Sequence, residues 1–146
     1  MLQINTVLMP VDGSQFSKEA VRYGAQLVSA HKPKVYLLHV TEPVHMTLGG
    51  ANAEQVRQAN EAKSMAMLET YKEILAPSGL DVTLLTRSGR PDYVILNVEE
   101  ELACDLIVIG SRGLSVLESM VMGSVVTRVL EGAGCPVLVT RNVRSQ

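Results

Sequence analysis

No apolar stretch in this chain approaches the ~20 residues that a bilayer-spanning helix needs, and no membrane association is expected. The N-terminus, MLQINTVLMPVDGS, has no basic region followed by a long apolar one, so it does not read as a signal peptide. There are only two cysteines. Cys104 and Cys135 lie far apart, without metal-ligand spacing or a disulfide framework, and are expected to be reduced, buried small residues. A surplus of charge is missing too: 13 Lys and Arg stand against 15 Asp and Glu, a formal −2. That balance gives no electrostatic reason to expect nucleic acid. With 47% hydrophobic residues, disorder is excluded as well. Two phosphate-binding fingerprints are absent, G-x-x-x-x-G-K-[ST] and G-x-G-x-x-G. The first strand-to-helix turn, VDGSQFS, in particular lacks the dinucleotide pattern, which disfavours a Rossmann dehydrogenase. No repeat, linker or low-complexity tract divides the chain, so residues 1–146 read as a single cytoplasmic domain, long enough for one core.

What is present is a strict alternation. Five short apolar runs stand out: Thr6 to Val11, Lys34 to Val40, Asp81 to Thr86, Asp105 to Gly110 and Cys135 to Thr140. Most are nearly continuous in apolar residues, which suits strands covered on both faces. Helical patterns separate them. Ser14 can cap a helix whose face is Ala20, Val21, Gly24, Ala25 and Val28. A longer helix is expected over Ala53 to Ala76, with Ala59, Ala62, Ala66, Met67, Tyr71 and Ile74 as its stripe and Pro77 and Gly79 as its stop. A third starts at Pro91, with Val94, Ile95, Val98 and Leu102 inward. A fourth starts near Gly123 and presents Val125, Val126, Val129 and Leu130, ending at Gly132 and Gly134. Residues Thr41 to Asn52 show no period and are expected to form a surface loop. The expected fold is α/β: an open five-stranded parallel sheet with helices on both faces, a Rossmann-like sandwich joined by right-handed crossovers.

In such sheets ligands bind beyond the carboxyl ends of the strands, where the strand order reverses. The first strand ends MPVDGS and the fourth runs into GSRGLSVLESMVMGS, residues 110–124. If those strands are neighbours, Asp12 and the glycine loop share a crevice. Backbone N–H groups around Gly110 and Gly113 can then approach an anion, and the following helix start adds unpaired N–H groups and the Ser124 hydroxyl. The alternative is an ordinary connection in which Asp12 and Ser124 only cap helices. Arg112 sits in the loop, ready for a phosphate or for solvent. His39 is expected to be a packed or hydrogen-bonded histidine, Met120 and Met122 to be packing groups, and Glu118 to point away from the loop.

These segments together carry a resemblance. MPVDGSQFS, LLHV, DLIVIGSRG and GCPVLVTR resemble the universal stress protein family across essentially the whole chain. The pattern G-x2-G-x9-G-[ST], complete here as Gly110, Gly113, Gly123 and Ser124, is similar to that of the family's ATP-binding branch. The resemblance implies an adenine nucleotide α-hydrolase-like fold and ATP as ligand, with Mg²⁺ or Mn²⁺. It implies that Pro10, Val11 and Asp12 lie beside the adenosine, with Asp12 at the ribose or reaching a metal through water. The backbone of Val40 would meet the adenine edge, Ile109 and Gly110 the ribose side, and Gly113, Gly123, Ser124 and Val125 the phosphates. It also implies a homodimer through the last strand, residues 136–140. No catalytic residue is expected. The chain reads as a nucleotide-dependent binding protein in stress response; the alternatives are a very slow ATPase and a structural dimer with a dispensable nucleotide.

Overall fold

A computed structural model describes residues 1–44, 49–113 and 122–141. Its elements alternate in chain order. They are β1 (Thr6–Pro10), α1 (Gln15–Val28), β2 (Lys34–Thr41), α2 (Gly50–Leu75), β3 (Asp81–Ser88), α3 (Pro91–Glu101), β4 (Leu106–Gly110), α4 (Ser124–Gly132) and β5 (Val137–Thr140). The five strands form one parallel sheet in the order β3-β2-β1-β4-β5. This is the expected open α/β sandwich, and β1 and β4 are neighbours.

Alternate side chains of each strand feed two cores, as the two-residue period of a strand requires. Val7, Met9, Val35, Leu37 and Val108 pack under α1 and α2 against Val21, Ala25, Val28, Leu68, Tyr71 and Leu75. Leu8, Leu38, Ile107 and Ile109 pack on the other face against Ile95 and Val98 of α3 and Val126 and Val129 of α4. Because both strand faces are covered, the sequence shows runs and not alternation.

Three expectations need correction. The segment 41–52 is not all loop. Thr41 ends β2, its carbonyl accepting the Gly89 N–H at 2.9 Å, and α2 begins at Gly50 after Gly49 has accepted the N–H groups of Asn52 and Ala53; residues 45–48 lie outside the described residues. The stripe of α2 also differs. Tyr71 is buried and Met67 and Ile74 are partly buried as expected, but Ser64, Leu68 and Leu75 are the other buried residues, while Ala59, Ala62 and Ala66 are exposed. A helix of 26 residues is ~39 Å long and outruns strands of eight residues or fewer. Alanine there serves helix propensity and not burial. Finally, Leu130 is 43% exposed, so α4 seats only Val126 and Val129 fully.

Both cysteines are free. Burial pushes the Cys104 thiol up to about 12 and the Cys135 thiol to about 11, so neither is a thiolate at neutral pH. No helix among the described residues is long and apolar enough to cross a membrane.

Candidate functional site

The switch in strand order opens a cleft of about 330 Å³ at the carboxyl ends of β1, β2 and β4. That volume lies within the range of small-molecule pockets, ~300–1,000 Å³. Each of Pro10, Val11, Asp12, Val40, Ile109, Gly110, Arg112, Gly113, Gly123, Ser124 and Val125 lines it. Residues that lie 115 positions apart are thus brought to one wall, from Pro10 to Val125.

The β1–α1 turn is fastened by hydrogen bonds between neutral donors and acceptors and one carboxylate. The Ser14 N–H and hydroxyl both donate to Oδ1 of Asp12, at 3.0 and 2.5 Å. This is an Asx turn of the kind aspartate favours. Ser14 in turn caps α1, accepting the Ser17 N–H at 3.2 Å. Beneath the turn the Tyr71 hydroxyl, from α2, accepts the Gly13 N–H at 2.9 Å and lies 2.5 Å from Oγ of Ser17. Ser17 donates to the carbonyl of Ser14, which leaves Tyr71 to donate to Ser17. Gly13 needs its lack of a side chain, since its φ of +86° is strained for any other residue.

At the second wall, glycine has two different jobs. A Cβ on Gly110 would stand 3.1 Å from the carbonyl carbon and oxygen of Phe16, so Gly110 lets the start of α1 close onto the end of β4. A Cβ on Gly113 would collide with Oδ2 of Asp12, so Gly113 lets the loop reach the carboxylate. Gly123 has an ordinary φ of −73° and its N–H is already given to the Ser111 carbonyl at 2.8 Å, which ties the start of α4 to the end of β4. The open donors are therefore the next ones, the first-turn N–H groups of α4 beginning at the exposed Ser124. Residues 114–121, with the expectations for Glu118 and Met120, lie outside the described residues; Met122 packs against the α3–α4 core as expected.

At the third wall, β2 outruns β1. Leu38 gives its carbonyl to Val11 on the β1 side and Thr41 gives its carbonyl to Gly89 on the β3 side. Successive residues of a strand in a parallel sheet address opposite neighbours, so Val40 turns its N–H and carbonyl to the β1 side. There β1 has already turned away, and among the described residues no backbone group meets them.

A model of the universal stress protein family matches residues 3–141. The chain belongs to the universal stress protein family. A universal stress protein of Bacillus subtilis, YxiE, is 30% identical over 146 residues, covering 94% of this chain and 99% of its own length. Among solved structures, UspA of Lactobacillus plantarum superposes with a TM-score of 0.86 at 21% identity, over 97% of this chain and all of that one. A universal stress family protein from Arabidopsis thaliana, solved with AMP bound, gives a TM-score of 0.69 at 24% identity, over 95% and 93% of the two chains.

Several cleft residues of this universal stress family member escaped the sequence reading. Ser17, Leu38, Glu42, Pro91, Ile95 and Val126 complete the lining. Pro91 and Ile95 were expected only as helix start and core, and nothing in their period marks them as cleft residues. His39 also lines the cleft, with Nδ1 2.6 Å from Oγ of the buried Ser64. Burial holds its pKa below the usual value, and nearby Asp12 only partly offsets this, so the ring is neutral at pH 7. Among the described residues no group of three His, Cys, Asp or Glu side chains is placed to hold a metal ion.

Proposed function

We propose that this cleft binds ATP and that nucleotide occupancy alters the protein's shape or partners in a stress response. The observation that carries the reading is the meeting of three backbone features at one crevice: the outward groups of Val40, the close approach of Gly113, and the open first turn of α4. Val40 offers a donor and an acceptor to the edge of a purine. Asp12, at the centre, is suited to a ribose hydroxyl. The α4 start and Ser124 offer donors and partial positive charge to phosphates. The AMP-bound Arabidopsis neighbour supports the same class of ligand. Mg²⁺ or Mn²⁺ fits only as an ion held by the phosphates and water, with Asp12 as its outer partner, because one oxygen of that carboxylate is already occupied by Ser14.

Hydrolysis, if it occurs, is far slower than the ~10 s⁻¹ of ordinary enzymes. Among the described residues no lysine lines the cleft, and the His39 ring is engaged by the hydroxyl of the buried Ser64, which does not line the cleft. We also propose a homodimer through β5, an edge strand whose unpaired groups invite a second copy. Two free cysteines fit a reducing cytoplasm.

The test is calorimetric titration of ATP into the wild type, Gly123→Val and Ser124→Ala, with phosphate release followed in parallel. Gly123 has a φ of −73° that other residues adopt but is itself buried, so the titration is read only on Gly123→Val protein whose circular dichroism and melting match wild type. The affinity of that variant should fall at least tenfold, ~1.4 kcal/mol. Ser124→Ala should lose less, since the backbone donors remain. A folded Gly123→Val protein that binds ATP like wild type would sink the phosphate reading.

A further inference from the structure

The cleft lining is poor in positive charge. Among its described side chains Asp12 and Glu42 are acidic, and Arg112 is the one lysine or arginine. A polyphosphate needs more than that. Positive charge in excess lies where α3 meets α4. Asp92, only 5% exposed, accepts hydrogen bonds from Nε and Nη2 of Arg90, both at 2.9 Å. That fork occupies both carboxylate oxygens. Arg90 is held further by the Tyr93 ring, 4.4 Å from its guanidinium. Arg128 adds one longer contact, Nη1 to Oδ2 at 3.3 Å, and its side chain is 53% exposed. Two guanidiniums share one carboxylate, and Arg128 is the one held loosely.

Its position is what matters. Arg128 stands one helical turn after Ser124, which lines the cleft at the start of α4. Side chains four apart share a helix face and lean toward the N-terminus, so an Arg128 side chain released from Asp92 has a path back toward Ser124. Its present partner Asp92 is the neighbour of Pro91, which lines the cleft too.

We propose that Arg128 is a phosphate clamp: it exchanges Asp92 for the terminal phosphate of a nucleoside di- or triphosphate and so favours these over a monophosphate. The proposal rests on the nucleotide reading above. Leaving Asp92 costs little, because Arg90 still satisfies it and the lost contact is a solvent-exposed one. The gain is a planar fork against a phosphate, which guanidinium matches with two hydrogen bonds.

Titrating ATP and AMP separately into the wild type, Arg128→Gln and Arg128→Lys tests this, with thermal melts confirming the fold. Arg128→Gln should lose at least about tenfold for ATP while its AMP affinity stays within about twofold of wild type, a split that a structural role would not produce. Arg128→Lys should fall between, keeping the charge but not the fork. If folded Arg128→Gln binds ATP like wild type, or loses ATP and AMP alike, the clamp is wrong and the nucleotide reading stands. If the wild type binds neither nucleotide, both fall.

Discussion

Two corners of the molecule carry an aspartate near a helix start, and they hold it in opposite ways. At the β1–α1 corner Asp12 is anchored by the neutral donors of Ser14, over a hydroxyl pair formed by Ser17 and the fully buried Tyr71. At the α3–α4 corner Asp92 is anchored by two arginines. The hydroxyl and N–H of Ser14 fix the geometry of the Asp12 carboxylate at the wall of the cleft. Ionic anchoring cancels the buried charge and leaves a spare cation outside. The first corner lines the cleft, and the second carries the arginine proposed above as a phosphate clamp.

The strongest way to break the first corner is Tyr71→Ala, which removes a ring with no exposed surface and should cost ~3–5 kcal/mol in urea unfolding. Tyr71→Phe keeps the ring and strands the Gly13 N–H, for a loss of ~1–3 kcal/mol. Being neutral, that loss should not change with salt. A loss that halves in 1 M salt would mean that the corner is electrostatic after all.

The two glycines sharpen the comparison between fold and site. Gly110→Ala drives a Cβ against the Phe16 backbone and should cost ~1–3 kcal/mol of stability. Gly113→Ala meets the end of a side chain, which can turn aside, so stability should change less while ATP affinity falls. Equal stability losses with unchanged binding would refute that division of labour.

The ionic corner answers to pH and salt. Burial disfavours the charge on Asp92, but hydrogen bonds from Arg90 and the Tyr93 N–H, with the charges of Arg90 and Arg128, outweigh it and hold the carboxyl below the usual range. A carboxyl depressed in the folded state contributes fully above the unfolded value of ~4 and loses that contribution as pH falls through the folded one. Asp92→Asn should cost ~1–2 kcal/mol at pH 7, held down by the exposure of both arginines, and the difference from wild type should shrink below pH 4 and in high salt. Denaturant midpoints across pH 2–7 would measure it; a pH-independent difference would contradict the ionic account.

The smallest effect belongs to His39. Its pKa is depressed by burial, so below ~6.5 the unfolded chain binds the proton more readily, and stability declines as pH falls through that value. His39→Gln should flatten this slope between pH 7 and 5. An unchanged slope would assign it to another group.

Much of the sandwich was legible because strands covered on both faces must be apolar throughout, and helices on a sheet must show one apolar side. The stripe of α1 follows that rule, whereas α3 seats Ile95 and Val98 beside the buried carboxylates of Asp92 and Glu99. The α2 stripe was right at Tyr71 but missed Ser64, which faces inward to hydrogen-bond His39, while alanines that mimic a core stripe stand in water. Period records apolarity and does not record a polar group with a buried partner.

By itself the sequence determined the alternation of elements, the two turns where a ligand could sit, and the spacing of the glycines and Ser124. Only the tertiary structure decided what each does. It gave Gly110 to helix packing and Gly113 to Asp12, engaged the N–H of Gly123, turned Val40 outward where β1 stops short, and set Arg128 beside an aspartate from another helix. The reason is physical. A residue's type and its neighbours in the chain set its local conformation, whereas close approach, hydrogen-bond partnership and charge balance depend on distances between segments far apart in sequence.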